Sequence, residues 1–214
     1  SVINKIKNKE LHGLNITLPY KKKIIPHLTK VVNDAKESKS VNTVFLDGDD
    51  IVGENTDVFG FQAGYLKEIV NPKRNNIKAL ILGAGGVAPS IILALIKSNV
   101  QEISVTNRTH EKSLFLKRQF KNIEVIKWQN YDDEIKNFDI IINATSLGLK
   151  NNDDFKNLFQ NVKKELVFID TIYNPGQTKM IKHLKSKNIK TYNGLDMFIY
   201  QGQKSFYTWT KKNP

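Results

Sequence analysis

A four-residue loop and one arginine carry the first chemistry legible in this sequence. Gly83-Ala84-Gly85-Gly86 interrupts an apolar run, with Ala79-Leu80-Ile81-Leu82 before it and Ile91-Ile92-Leu93-Ala94-Leu95-Ile96 after it. Glycine lets a backbone turn sharply and come close to a ligand. A helix that starts just beyond the turn aims unpaired N–H groups and the positive end of its dipole over it. That arrangement suits a pyrophosphate. A single membrane-spanning helix over the same stretch is ruled out by Gly83, Gly85, Gly86, Pro89 and Ser90 in its middle, which would break such a helix.

Glu102-Ile103-Ser104-Val105-Thr106 alternates as a strand does and ends at Asn107-Arg108-Thr109, with Asn107 placed 21 residues after Gly86. Folds that bind NAD keep an acid near this point for the ribose 2′-hydroxyl, whereas an arginine accommodates the 2′-phosphate of NADP. Here the acid is absent and Arg108 is present. A guanidinium matches phosphate oxygens as a fork, and Lys112, one helical turn further on, adds a point charge. A solvated arginine at a strand end is the bland alternative, and the joint spacing weakens it.

The elements that must position these groups follow from the pattern. Strands are predicted at 79–82, 103–107, 124–126, 139–143, 166–170 and 190–192, with helical patterns between several of them. Such alternation is the signature of an α/β fold with a doubly wound parallel sheet. Upstream, the sequence predicts a helix up to Lys9, a strand over 14–18, a helix after Lys22, and paired strands at 41–46 and 51–53. A helix over 57–70 leads to Asn71-Pro72, a breaker and an expected boundary. The last segment, 195–211, reads as one long amphipathic helix.

The 214 residues can bury a substantial core, and a 40% hydrophobic, 25% charged composition is ordinary globular usage. With no cysteine there are neither disulfides nor thiolate metal sites, and no apolar leader opens the sequence. A cytoplasmic, soluble protein with no membrane partner is the expectation. The net charge of +12 would ordinarily suggest nucleic acid. Its lysines, however, are scattered and accompany no nucleic-acid motif, so no nucleic-acid partner is expected. Ligands of a doubly wound sheet sit at the carboxyl ends of its strands. The polar groups there are Asn107-Arg108-Thr109, Asn143-Ala144-Thr145-Ser146, and Asp170 with Tyr173. Any one of them could be a self-bonded turn; together they line one edge.

These residues carry a family resemblance. Gly13-Leu14-Asn15-Ile16-Thr17-Leu18-Pro19-Tyr20-Lys21, Asn55-Thr56-Asp57-Val58-Phe59-Gly60, the loop from Gly83 to Ala88, Asn107-Arg108-Thr109, Asn143 to Gly148, Asp170 to Tyr173 with Pro175 and Thr178, and Gly194 to Gln201 are similar, in order, to the successive motifs of shikimate dehydrogenases. The resemblance runs from Gly13 to Trp209. It implies a Rossmann, NADP-binding sheet with a second, smaller α/β substrate domain. The expected division is 1–57 for the substrate domain, 58–193 for the nucleotide domain, and 194–214 for a C-terminal helix returning to the first.

It also implies reversible, NADPH-dependent reduction of 3-dehydroshikimate to shikimate, on the route to chorismate and the aromatic amino acids. The family's catalytic pair falls on Lys21 and Asp57. Hydride transfer to a ketone builds charge on its oxygen, which a lysine ammonium can meet with a proton while a neighbouring carboxylate holds the ammonium in place. For Asp57 a plain helix N-cap is the alternative, and for Lys21 membership of the surface run Lys21-Lys22-Lys23. Three cations opening a helix oppose its dipole, which argues for a functional reason for one of them.

By the same resemblance Thr17, Asn42, Tyr173 and Gln201 bind substrate. Gly83, Ala84, Gly85 and Gly86 cradle the pyrophosphate, and Asn107, Arg108, Thr109 and Lys112 surround the adenosine phosphate. Thr145, Gly194 and Met197 lie toward the nicotinamide. No metal is expected, and the assembly is a monomer or homodimer. The family opens with further strand and helix structure bearing a Ser-x-Ser motif for the substrate carboxylate. This sequence starts at Ser1 within the later part of that domain. The first domain is therefore expected to be N-terminally incomplete, and a polypeptide truly so shortened to be weakly active and poorly stable. Leu149 stands where methionine is usual and Lys22 where an acid is usual. Two other readings are a quinate/shikimate dehydrogenase and a non-catalytic NADP-binding module.

Overall fold

The computed structural model describes residues 2–70, 76–150, 155, 159–160 and 162–214. The expected breaker at Asn71-Pro72 lies outside the described residues. The first part of the chain contributes α1 (Val2–Lys7), β1 (Gly13–Asn15), β2 (Lys30–Val31), α2 (Asp34–Ser38), β3 (Thr43–Asp47) and β4 (Asp50–Glu54). A helical stretch follows as α3 (Asp57–Phe61), a π-turn (Gln62–Leu66) and α4 (Lys67–Ile69). Next come β5 (Lys78–Leu82), α5 (Ala88–Lys97), β6 (Glu102–Thr106), α6 (His110–Gln119), β7 (Ile123–Val125) and α7 (Tyr131–Glu134). The chain ends with β8 (Ile140–Asn143), β9 (Val167–Asp170), α8 (Lys179–Ser186), β10 (Lys190–Tyr192) and α9 (Leu195–Thr210).

Two sheets result. The larger runs β10-β9-β8-β5-β6-β7, and every pairing in it is parallel. The strand order reverses at β5, so the crevice between the carboxyl ends of β5 and β8 is the topological switch point, where doubly wound sheets bind ligands. Strand β5 explains why the sheet is buried on both sides. Ala79 and Ile81 pack with Val58, Phe61, Ile91 and Leu95 on one face, while Leu80 and Leu82 pack with Phe168, Met180 and Leu184 on the other. A pleated strand that faces helices on both sides must be apolar at every position.

The smaller sheet is mixed, in the order β1-β3-β4-β2. Here β1 and β4 are antiparallel to β3, and β2 is parallel to β4. Its core is Ile6, Ile16, Ala35, Val41, Val44 and Ile51. Helix α9 returns to this sheet: the Trp209 Nε1 donates to Val44 O at 3.2 Å, over Gly13, where any side chain would collide with the indole.

Two local expectations are corrected. The predicted strand over 14–18 ends at Asn15, with one further ladder-like bond from Ile16 N to Asn42 O at 2.7 Å. No α-helix forms directly after Lys22; the next one is α2, at Asp34. The chain turns there and makes only a 3₁₀ turn, Ile25–His27. Pro26 lacks the N–H that a continuing helix needs, and its ring opposes the carbonyl of Lys22 four residues earlier. The three lysines therefore do not open a helix, and the dipole argument for a special lysine falls away.

Candidate active site

Asp57 is the first residue of α3, yet its carboxylate does not cap the helix. Asn55 does so instead: its Oδ1 accepts from Asp57 N at 3.0 Å and Val58 N at 3.3 Å. The Asp57 carboxylate is left for partners distant in the sequence. Its Oδ2 accepts from Lys21 Nζ at 2.6 Å, and its Oδ1 from Asn42 Nδ2 at 3.0 Å. The side chains of Lys21 and Asp57 are only 12% and 8% exposed, so the pair is largely shielded from solvent screening.

Asn42 ties this pair to a buried polar cluster. Its Oδ1 accepts from Thr56 N at 2.7 Å, and its Nδ2 also reaches Thr56 Oγ1 at 2.9 Å and Gln201 Oε1 at 3.3 Å. Behind it, Thr43, Thr56 and Ser205 exchange hydroxyl hydrogen bonds of 2.8 to 3.2 Å, and Asn15 Nδ2 donates to Ser205 Oγ at 3.1 Å. Reading the sequence missed Ser205 and Asn15 as members of this cluster. The position of Ser205, one helical turn past Gln201 on α9, was the available signal.

Lys21, Asp57 and Asn42 line a cavity of about 570 Å³, together with Thr17, Tyr173, Gly194, Met197 and Gln201. All the residues expected to bind substrate therefore share one wall system. Tyr173 sits at the rim, 48% exposed, its ring stacked on Phe198 with centroids 4.7 Å apart. The turn carrying Gly194 is held by Tyr65 from the π-turn. The Tyr65 hydroxyl donates to Asn193 O at 2.6 Å and accepts from Met197 N at 3.2 Å. Burial pushes its phenol well above the ordinary tyrosine range. Lys22, next to the paired lysine, turns away: its ammonium lies over the Phe115 ring at 4.6 Å, and burial together with Lys39 holds it below the usual lysine value.

A second cavity, about 420 Å³, lies at the switch point and contains Gly83, Gly85, Gly86, Asn107, Arg108 and Thr145. Leu18, Val87, Leu149 and Thr171 line both cavities, which makes them two ends of one cleft. None of these four was given a role from the sequence: Leu18, Val87 and Leu149 are apolar and carry no chemical signature, and Thr171 donates its hydroxyl to Asn143 O at 2.8 Å. Gly83 has φ +110°, a conformation side chains rarely adopt, and a Cβ there would meet Ala144 O at 2.8 Å. A Cβ on Gly85 would have only Ala144 O, at 3.7 Å, for company, so the loop presents bare backbone to the cleft. The N-terminus of α5 follows directly. These features fit a pyrophosphate, and a lining that includes Arg108 and no carboxylate fits a ribose 2′-phosphate.

Other expected residues take different places. Asn107 lines the cavity but spends its amide on scaffolding: Oδ1 accepts from Ala84 N at 3.1 Å and Nδ2 donates to Thr109 O at 2.9 Å. Ala84, Thr109 and Lys112 line neither cavity. Asn143 and Asp170 face inward. Asn143 Nδ2 donates to Asp170 Oδ1 at 3.0 Å, Thr178 Oγ1 donates to Asp170 Oδ2 at 2.8 Å, and Thr145 Oγ1 donates to Asn143 Oδ1 at 2.7 Å. They build the loops that shape the cleft. Among the described residues no cluster of potential metal ligands occurs, and no helix is long and apolar enough to cross a membrane.

The parallel sheet, the glycine loop at its switch point and a buried lysine–carboxylate pair across the same cleft define a dinucleotide-binding α/β protein built like an oxidoreductase. Residues 65–195 match the family model described as shikimate / quinate 5-dehydrogenase, and residues 1–44 match that of the shikimate dehydrogenase substrate binding domain. A shikimate dehydrogenase (NADP(+)) of Pelagibacter ubique is 46% identical over 213 residues, an alignment that takes in 100% of this chain and 78% of that protein. Among solved structures, shikimate dehydrogenase from Aquifex aeolicus superposes with TM-score 0.89 at 35% identity, covering 100% of this chain and 77% of that one. The Thermus thermophilus shikimate 5-dehydrogenase, in complex with NADP(H) and shikimate, gives TM-score 0.86 at 29% identity, covering 100% and 79%. The chain belongs to the shikimate dehydrogenase family.

Proposed function

We propose that this protein is an NADP-dependent shikimate dehydrogenase that reversibly reduces 3-dehydroshikimate to shikimate, a step toward chorismate and the aromatic amino acids. The single observation that carries the reading is the 2.6 Å contact between Lys21 and Asp57 in a cleft that continues to the glycine loop. When bound, NADPH supplies the hydride. The Lys21 ammonium donates the proton to the ketone oxygen as charge builds there, and Asp57 holds that ammonium in place. Thr17, Asn42 and Gln201 hydrogen-bond the substrate hydroxyls, and Tyr173 closes the rim. A site built from so many directional partners rejects analogues that leave them unpaired. Gly83, Gly85 and Gly86 hold the pyrophosphate, Arg108 the 2′-phosphate, and Thr145, Gly194 and Met197 face the nicotinamide.

In this reading residues 1–57 form the substrate domain, 58–193 the nucleotide domain, and 194–214 the returning helix. The protein acts in the cytoplasm on a small molecule, as a monomer or homodimer, with no nucleic-acid or membrane partner. The test is Lys21→Met: kcat falls by about 10²- to 10⁴-fold, while the Kd for NADP⁺ stays within about twofold. Near-normal turnover would reject the assignment. The family description also names quinate, so activity with shikimate and quinate, each with NADP⁺ and NAD⁺, is the companion measurement. Arg108 and the missing acid favour the phosphorylated cofactor.

A further inference from the structure

The start of α9 lines the cleft through Gly194, Met197 and, one turn on, Gln201, yet its N-cap residue is Gly194, which has no side chain to meet the free amides there. Asn193 Oδ1 accepts from Leu195 N at 3.1 Å, and the Tyr65 hydroxyl accepts from Met197 N at 3.2 Å. The same hydroxyl donates to Asn193 O at 2.6 Å. One phenol therefore joins the residue before Gly194 to the third residue after it, although Tyr65 itself lines neither cavity. Resting on the NADP-dependent dehydrogenase reading above, we infer that Tyr65 is a positioning residue for hydride transfer. It touches neither substrate nor cofactor and fixes the 194–197 turn that faces the nicotinamide.

Three features make this clamp stiff. Tyr65 is fully buried, its ring edge-on to Phe61 and Tyr192 with centroids 5.2 and 5.6 Å apart, so the phenol cannot swing away without opening the core. That burial also keeps the hydroxyl protonated, its hydrogen committed to Asn193 O and a lone pair to Met197 N–H. The backbones are in close contact as well: a Cβ on Gly60 would meet Met197 O at 2.7 Å, and one on Gly64 would meet Met197 N at 3.1 Å. On the opposite side a Cβ on Gly194 would run into Thr171 O, so the turn is held between the π-turn and the loop after β9. The π-turn, with Lys67 N bonded five residues back to Gln62 O, is a widened stretch of the kind that recurs at functional sites. Removing the hydroxyl leaves Asn193 O and the Met197 amide without that partner, and a turn that shifts to relieve them misplaces the reacting atoms. A displacement of about 1 Å there costs about 10² in rate.

The experiment compares wild type with Tyr65→Phe, which keeps the ring and removes the hydroxyl, and with Leu184→Ala, which opens a cavity in the core on the other face of the parallel sheet. Amide hydrogen exchange of the cofactor-free protein should quicken by about tenfold or more over residues 193–198 in Tyr65→Phe. The rate of NADPH oxidation in a single turnover with saturating 3-dehydroshikimate should fall about fivefold to thirtyfold in that variant, while the Kd for NADP⁺ stays within about threefold. Leu184→Ala should lower the melting temperature yet leave the single-turnover rate within about twofold. Unchanged exchange over 193–198 overturns the clamp. Faster exchange with an unchanged single-turnover rate makes Tyr65 a structural tie alone and overturns its part in hydride transfer, while the dehydrogenase reading stands. A rate that falls as far in Leu184→Ala overturns it too, since general destabilisation then accounts for the loss. If Tyr65→Phe does not fold, Gly64→Ala decides through the same rate, because its Cβ presses on the Met197 amide from the same side. Near-normal turnover of Lys21→Met would reject the dehydrogenase reading itself and take this inference with it.

Discussion

The nucleotide end and the substrate end of the cleft are built on opposite plans. At the nucleotide end most of the lining comes from short loops that directly follow parallel strands, 83–87 after β5, 107–108 after β6, 144–149 after β8 and 171–172 after β9, with Trp128 beyond β7 and Leu18 from the smaller-sheet region completing it. Each loop is shaped mostly by its own backbone and by one neighbour, as Asn107 shows in tying its loop to Ala84. At the substrate end, Lys21, Asn42, Asp57 and Gln201 come from four separate parts of the chain and meet through a shared buried hydrogen-bond cluster. A site made of independent loops fails one piece at a time. A site made of one buried network fails as a unit, because each lost partner leaves another polar group unsatisfied.

The largest expected effect breaks the network at its charge. Asp57→Asn keeps the shape but removes the carboxylate, and kcat should fall by about 10²- to 10⁴-fold with NADP⁺ affinity within about twofold. Steady-state kinetics beside cofactor titration read both; a parallel loss of cofactor affinity would show that the two ends are not separable as described. Next, Gly83→Ala attacks the nucleotide end through strain. With φ +110° and Ala144 O at 2.8 Å from the new Cβ, it should cost about 2–4 kcal/mol of stability, visible in urea denaturation. It should also weaken NADP⁺ while leaving the geometry of Lys21 and Asp57 unstrained.

Asn42→Ala should cost about 1–3 kcal/mol, since Thr56 N, Asp57 Oδ1 and Gln201 Oε1 all lose a partner. Combined with Asp57→Asn it should be clearly non-additive, whereas combined with Gly83→Ala it should add. Additivity in the first pair would dissolve the contrast drawn between the two ends. The smallest effect is expected at the outer tie between the two sheets. Lys97 pairs with Asp34 and Glu37 at 2.5 and 2.8 Å but is partly exposed. Lys97→Met should therefore change stability by less than about 1 kcal/mol and lose even that at high salt.

The contrast also explains what could be read in advance. The strands of the parallel sheet fell within one or two residues of their predicted bounds, because a strand buried on both faces writes itself as a continuous apolar run. The upstream region was read less well. Its strands are short, its sheet is mixed, and Pro26 turned an expected helix after Lys22 into a single 3₁₀ turn. Asp170 and Asn143 looked like candidate ligand groups from their strand-end positions, and only their mutual hydrogen bond at 3.0 Å reveals them as loop scaffolding.

The linear order of residues thus determined the sheet, the glycine turn and the cationic strand end, since periodicity, turn chemistry and charge act over a few neighbouring positions. The tertiary structure alone decided that Lys21 meets Asp57 and that Ser205 on the last helix closes the cluster around Asn42. Those contacts join segments up to 162 residues apart. Their geometry is set by how two sheets and a returning helix pack together, and no local rule of propensity or spacing reaches that far.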